Sequence, residues 1–186
     1  RVVRANALKR QTGKFEEEYR ILWPDGSVRW IWDRGYPVHD AAGLVKGFVG
    51  IAEDITERRA TEEDRARLAA IVECSEDAIV CMTVNGVIIS WNHGAERLYG
   101  YSAEEMIGRP ISVLFTPDHY QEYLRTMEKV RRGEPIPAYD TVRRRKDGAV
   151  VNVSVAISPI EVREGEIAGA SKIAHDITRM KQLEEQ

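Results

Sequence analysis

The chain has 186 residues, 43% hydrophobic and 31% charged, with 27 Lys and Arg against 30 Asp and Glu. That composition can bury a core and excludes disordered, collagen-like, coiled-coil-only and disulfide-scaffold classes. The near balance of charge gives no sequence-wide attraction to nucleic acid or acidic lipid, and no apolar run approaches the ~18–20 residues of a membrane-spanning helix. No nucleic-acid partner and no membrane insertion are therefore expected of this segment. Cys74 and Cys81 lack C-x-x-C spacing and sit among apolar neighbours, which reads as two reduced thiols of a cytoplasmic protein. The basic start, residues 1–11, has neither Met nor an apolar stretch and reads as an internal excision point, not a leader.

An internal repeat organises the chain. Asp25-Gly26 recurs as Asp147-Gly148 and Asp54-Ile55-Thr56 as Asp176-Ile177-Thr178, both at an offset of 122. At the same offset Val28 meets Val150, Pro37 meets Pro159, Gly43 meets Gly165, Gly47 meets Gly169, and Ile51-Ala52 meets Ile173-Ala174. Residues 1–56 thus align with 123–178, and nothing aligns with 61–122. The first copy is expected to lack its front half, as in a piece of a longer protein cut inside the first unit.

In chain order, the first copy has Val28, Trp30 and Trp32 alternating on one strand face, where the repeat places Val150, Asn152 and Ser154 on the outer side of the second copy. Either that strand buries both faces, the outer one against a helix or another subunit, or a bulge shifts its register; an interface is the expectation. Asp54 is expected to N-cap the following helix, with Glu57 completing an acidic capping box; in the second copy Arg179 replaces that Glu, so the cap is weaker there. A connecting signalling helix is expected over 59–73, where Leu68, Ile71 and Val72 are candidate interface residues.

The complete copy opens on two β-rich runs, Asp77–Thr83 and Val87–Trp91, joined by a hairpin at Asn85-Gly86. Asn92 is a candidate N-cap for a short helix, and Ser102 with Glu105 forms a capping box for another. Thr116 and Pro117 start a longer helix whose buried stripe is expected to be Tyr120, Tyr123, Leu124, Met127 and Val130, with Gly133 and Pro135 ending it. Val151, Val153, Val155 and Ile157 alternate with smaller or polar residues as one face of a strand. Asp147-Gly148 supplies the turn before it and Glu164-Gly165 the turn into a last strand over 167–174. A second linker helix begins with Ile177, Met180 and Leu183. The sum is an α+β fold: a five-stranded antiparallel sheet with helices on one face, preceded by a three-stranded half-unit and a connecting helix.

The Asn85-Gly86 hairpin, the run 91–109, Arg144–Gly148 and the terminal Asp-Ile-Thr, in that order, resemble the PAS family of sensory domains, whose C-terminal part is described as the PAC motif. The resemblance covers about 61–183 as a whole unit and 14–58 as the back half of another. It divides the chain into a PAC half over 1–58, a connecting helix over 59–73, a complete domain over 74–178 and the start of an output-linker helix over 179–186. It implies a pocket between sheet and helices used to sense a small molecule, redox state or light, or a fold used only to dimerise.

The pocket expected on that basis takes Ile79 and Cys81 from the hairpin, Leu98, Leu114, Phe115, Tyr123 and Met127 from the helical side, and Val153, Val155 and Ile157 from the sheet. The signal relay is assigned to Asp54, Ile55 and Thr56 and to Asp176, Ile177 and Thr178. Cofactor identity stays unassigned. Ile111 stands where flavin photosensors of the family carry a reactive Cys, which argues against covalent flavin; His119 lies one residue out of the register of the haem-binding members, which argues against haem. The four His fall in no metal or triad spacing, so neither metal nor catalysis is expected of this segment. The run Arg143-Arg144-Arg145-Lys146 reads as a solvated hairpin tip. The expected function is a sensory, signal-transducing module with a small-molecule ligand, dimerising through the domains and linker helices, and regulating a histidine kinase or cyclic-dinucleotide output domain in the parent chain. The alternative is a ligand-free dimerisation or spacer module.

Overall fold

The computed structural model describes residues 14–163 and 165–184. The basic segment 1–11, Glu164 of the expected turn, and residues 185–186 at the end of the second linker helix lie outside the described residues. The chain forms two compact units, residues 1–67 and 68–186. In the first, β1 (Phe15–Leu22), β2 (Val28–His39) and β3 (Val45–Asp54) make a three-stranded antiparallel sheet, and α1 (Thr56–Glu73) begins there and runs past the division at residue 67. The second contains β4 (Ala78–Thr83), β5 (Ile88–Trp91), α2 (His93–Tyr99), α3 (Ala103–Met106), two 3₁₀ turns, α4 (Tyr120–Arg131), β6 (Ile136–Arg144), β7 (Val150–Arg163), β8 (Glu166–Asp176) and α5 (Thr178–Glu184). Its sheet has the order β5-β4-β8-β7-β6 with every pair antiparallel.

The repeat is carried into the hydrogen-bond register. Glu18 opposes Trp32 as Asp140 opposes Ser154, and Ile31 opposes Asp54 as Val153 opposes Asp176. The Asp-Gly turns also coincide, because Asp25 accepts from the Ser27 amide at 2.8 Å and Asp147 from the Ala149 amide at 2.9 Å. Each such Asx contact closes the turn from within, so its geometry follows from the local sequence.

The core of the second unit lies between the sheet and α2–α4. Val151, Val153, Val155 and Ile157 from β7, with Ala170 and Ala174 from β8, meet Leu98, Tyr99, Met106, Leu114, Met127 and Val130. Gly86 takes φ 78°, as the hairpin requires, and Gly94 lets α2 approach β4 so closely that a Cβ would lie 2.1 Å from the Asp77 carbonyl oxygen. Two expectations are corrected here. On α4, Tyr120 and Leu124 are 50% and 44% exposed, and the buried positions are Thr126, Met127 and Val130. The helix is turned that way by Glu122, which is drawn to the sheet by hydrogen bonds. On β4 the inward residues are Ala78, Val80 and Met82, not Ile79 and Cys81. The run is apolar on both faces, so alternation cannot choose between them; pairing with β8, which sets Val80 opposite Lys172 and Met82 opposite Ala170, decides it.

Asn92 ties the front of this unit together. It is fully buried and its side chain makes four hydrogen bonds: Oδ1 accepts from the Ala95 amide and the Ile79 amide, both at 2.9 Å, and Nδ2 donates to the Val72 and Asp77 carbonyls at 2.8 and 3.0 Å. One residue thereby caps α2, holds the start of β4 and fixes the end of α1. Asn92→Ala removes all four bonds at a buried site and takes the capping oxygen from the Ile79 and Ala95 amides, while the Val72 carbonyl keeps the Ser75 amide. The expected cost is about 3 kcal/mol. Hydrogen exchange checks it, as a loss of about two decades of protection in the β4 amides.

Candidate functional site

The interior of the second unit is polar on one side. Along β6 the period of two turns Tyr139, Thr141 and Arg143 inward, and α4 presents Glu122 to all three. Glu122 accepts from the Tyr139 hydroxyl at 2.9 Å, the Thr141 hydroxyl at 2.7 Å and the Arg143 guanidinium at 2.6 Å. Arg143 is 1% exposed, lies 4.0 Å above the Phe115 ring, and has no acceptor for its Nε. Phe115 in turn meets Tyr123 edge-on at 5.3 Å. From β8, Lys172 is 2% exposed, with the Tyr99 hydroxyl at 3.4 Å and the Tyr99 ring at 5.3 Å.

These surroundings move the titrations. Burial lowers the Lys172 ammonium well below its ordinary value, with the Arg143 charge adding to the effect. Burial pushes the Tyr99 phenol up. For Glu122 burial opposes ionisation, but the bonds from Arg143 and Thr141 outweigh it and hold the carboxyl below the usual range. A cleft of about 250 Å³ opens beside this cluster between α4 and β6, lined by Glu122, Arg125, Thr126, Lys129, Ile136 and Tyr139.

Of the ten expected pocket residues, Leu98, Leu114, Met127, Val153, Val155 and Ile157 share the one core, with Tyr123 packed against it and Phe115 buried beneath Arg143. Ile79 and Cys81 lie on the opposite face of the sheet. None of the ten lines the cleft. The residues that sequence reasoning missed are Glu122, Thr126, Tyr139, Thr141, Arg143 and Lys172. Reading Arg143 as part of a solvated tip is corrected by its burial: β6 continues through Arg144, so Arg143 is an inward strand position and the tip begins beyond it. Strand alternation from Tyr139 through Thr141 to Arg143 was the available signal. His119 shares a 2.8 Å hydrogen bond with the Thr116 hydroxyl.

The two Asp-Ile-Thr segments form the same joint. Asp54 Oδ1 accepts from the Thr56 amide at 3.0 Å and its hydroxyl at 2.5 Å, and the Thr56 hydroxyl accepts from the Trp30 amide at 2.9 Å. In the second unit Asp176 Oδ1 accepts from the Thr178 amide at 2.8 Å, and the Thr178 hydroxyl accepts from the Asn152 amide at 3.2 Å. The isoleucine between them is buried in both, and its amide donates to Trp30 or Asn152 at 2.9 or 3.0 Å. The expected N-cap is corrected in detail. The residue whose carbonyl receives the first helical amide is Ile55, from Arg59, or Ile177, from Lys181, and the Asp bonds the amide two residues on from itself. The joint therefore closes as well with Arg179 as with Glu57.

A further ion pair repeats with it. Arg59 bonds Glu18 on β1, and the equivalent Lys181 lies 2.9 Å from Asp140 on β6. In the first unit the tryptophans complete the fastening: Arg59 lies 4.0 Å over the Trp30 ring and Arg34 lies 4.2 Å over Trp32, whose Nε1 donates to Glu16 at 3.0 Å. The outer face of β2 is thus covered by arginines of its own unit, two of them, Arg58 and Arg59, from α1. Leu68 and Ile71 on α1 are each 63% exposed, and Val72 gives its carbonyl to Asn92.

Comparison with known proteins follows these features. The model of the family described as "PAS domain" matches residues 76–179, and that of the family described as "PAS fold" matches residues 1–52. The sensor protein FixL of Bradyrhizobium diazoefficiens is 29% identical over 116 residues, covering 59% of this chain and 23% of that protein. The probable diguanylate cyclase DgcE of Escherichia coli is 24% identical over 175 residues, 91% of this chain and 16% of its own length. The chain therefore spans less than a quarter of either relative. The crystal structure of a PAS domain from Colwellia psychrerythraea is 30% identical, has a TM-score of 0.58, and is matched over 62% of this chain and 98% of that one.

The Glu122–Arg143 pair sets a pH dependence. A carboxyl held below its ordinary 4.5 stabilises the fold fully above that value, and the contribution is lost as pH falls through the folded-state value. Glu122→Gln is expected to cost about 3 kcal/mol at neutral pH, because it leaves Arg143 buried without a counter-charge. The gap from the unsubstituted protein should narrow below pH 4.5 in thermal melts, the region where Glu122 itself protonates. A gap that stays constant down to pH 3 would contradict the assignment.

Proposed function

The chain belongs to the PAS domain family, and on that premise we propose that its second unit senses a chemical signal in its interior and passes it through α5 to an output domain, a histidine kinase or a cyclic-dinucleotide enzyme. The observation that carries this reading is the joint. The last strand of each copy turns into a helix at Asp-Ile-Thr, where the Asp accepts from the Thr amide, the Thr hydroxyl accepts from the same position of the neighbouring strand, and an ion pair stands at the same position. β8 carries Lys172 at its middle and Asp176 at its end, and β7 carries Val153 in the core beside Asn152 in the joint. A shift of the inner sheet face is thereby a shift of the helix start, the two-state element that signalling needs.

Helical output also fits a homodimer. Leu68 and Ile71 on α1, and Met180 and Leu183 on α5, leave apolar surface uncovered on both linker helices, and parallel pairing of such helices would convert rotation at the joint into a change at the output domain. This domain division, with a PAC half over 1–58 and a complete domain over 74–178, is part of the same proposal.

Two experiments test it. In the parent protein, Asp176→Ala should make the output independent of the stimulus while ligand affinity is nearly unchanged. Lys181→Glu should do the same in milder form, and adding Asp140→Lys should restore coupling. Equal loss of affinity and coupling would place Asp176 in the binding site and sink the relay reading. For the dimer, Leu68→Asp combined with Ile71→Asp should halve the mass read by light scattering; an unchanged mass removes these residues from the interface.

A further inference from the structure

The cleft between α4 and β6 has an unbalanced charge. Glu122, the one acid on its wall, is fully engaged: Tyr139, Thr141 and Arg143 take both its oxygens. Arg125 and Lys129 line the same cleft one helical turn apart, so their heads project from one flank of α4. Neither side chain has a hydrogen bond or ion pair among the described residues. Behind the wall, Arg143 keeps an Nε without an acceptor although it is 1% exposed, and Lys172 has only a phenol oxygen at 3.4 Å. At the mouth, two basic side chains stand beside one spent carboxylate.

Buried donors are normally satisfied, so the orphan guanidinium nitrogen and the weakly partnered Lys172 amine leave the interior behind Glu122 short of an acceptor. The rest of the lining is Thr126 on α4, with Ile136 and Tyr139 on the β6 side. Its 250 Å³ is just below the ~300–1,000 Å³ of sites for drug-sized ligands, which suits a small metabolite and not a large ring cofactor. The feature is confined to one copy. At the repeat offset, Arg143 corresponds to Ile21, Lys172 to Gly50 and Tyr139 to Glu17, so no such cluster is found among the described residues of the first unit.

We propose that this cleft binds a small organic carboxylate, its anionic end held by Arg125 and Lys129 and its body resting on Ile136 and Tyr139 against the Glu122–Arg143 pair. The inference deepens the sensing reading and rests on it. An anion at the mouth draws the Arg143 charge away from Glu122, and Arg143 sits opposite Val151 on β7, one residue before Asn152 of the α5 joint. Arg143 and the relay are thus separated by a single strand position.

Titration calorimetry on the intact chain tests it, with acetate, succinate and citrate as probes, succinamide as a neutral counterpart and inorganic phosphate as a second anion. At least one carboxylate should bind at one per chain, with affinity falling as salt rises and no binding of succinamide. Arg125→Gln with Lys129→Gln, both at the surface and compatible with an unchanged fold by circular dichroism, should weaken it at least about tenfold, the loss of one charge-assisted hydrogen bond or more. Succinamide binding as well as succinate, affinity unchanged in the double variant, or no binding by any carboxylate would overturn the proposal. Phosphate binding without carboxylate binding would overturn the ligand class. If no carboxylate binds while Asp176→Ala still uncouples output, the sensing reading survives its loss; if a carboxylate binds and Asp176→Ala leaves coupling intact, the binding site survives and the relay does not.

Discussion

Strand register is the constraint on which the rest of this molecule depends. Side chains alternate with a period of two, so a slip of one residue would carry every inward group to the outer face. The pairing of β7 with β8 sets Val155 opposite Ala174 and Ile157 opposite Lys172, and the pairing of β6 with β7 sets Arg143 opposite Val151. Those pairings put an apolar floor, a guanidinium and an ammonium group on the same inner surface. The first unit keeps the same register with Ile21 and Gly50 at the charged positions, so one backbone plan carries a buried guanidinium and lysine in one copy and apolar residues at the same positions in the other.

Placing Arg143 and Glu122 in that interior has an energetic consequence. A buried ion pair recovers little net stability over apolar residues of like volume, yet breaking it by removing one partner is strongly destabilising. The pair therefore adds little net stability while making the interior intolerant of losing either partner. Its geometry supports that view: Glu122 is held by three donors at once, whereas Arg143 retains an unused nitrogen. The side of the cluster short of an acceptor is the cationic one.

At the other end of the same strands, the Asp-Ile-Thr joint ties the last strand of each sheet to the helix that follows. Its contacts are short-range and of modest strength, a carboxylate closing on the amide two residues on and a hydroxyl reaching one strand across. The isoleucine anchors the turn by burial, and an exposed ion pair, Arg59 with Glu18 or Lys181 with Asp140, sets the helix against the sheet. Exposed ion pairs contribute about 0–1 kcal/mol. A fastening of that size adds little to the stability of the fold.

The sequence by itself determined what depends on near neighbours and on spacing: the 122-residue repeat, the Asp-Gly and Asn-Gly turns, the Asn92 cap, the Ser102–Glu105 capping box, and the inward alternation of Val151, Val153, Val155 and Ile157. Each of these is decided within a few residues, by a φ angle, a capping oxygen or a polar alternate. Only the tertiary structure decided which face of β4 is inward, because Ala78–Met82 is apolar on both sides and the choice belongs to β8, some ninety residues away. The same holds for the site. A basic run looks solvated in sequence, and Arg143 is buried because β6 pairs through it and α4 brings Glu122 to meet it. Alternation says that a side chain points to one face of a strand; only long-range pairing says which face is the interior, and that is where the charges of this protein acquire their chemistry.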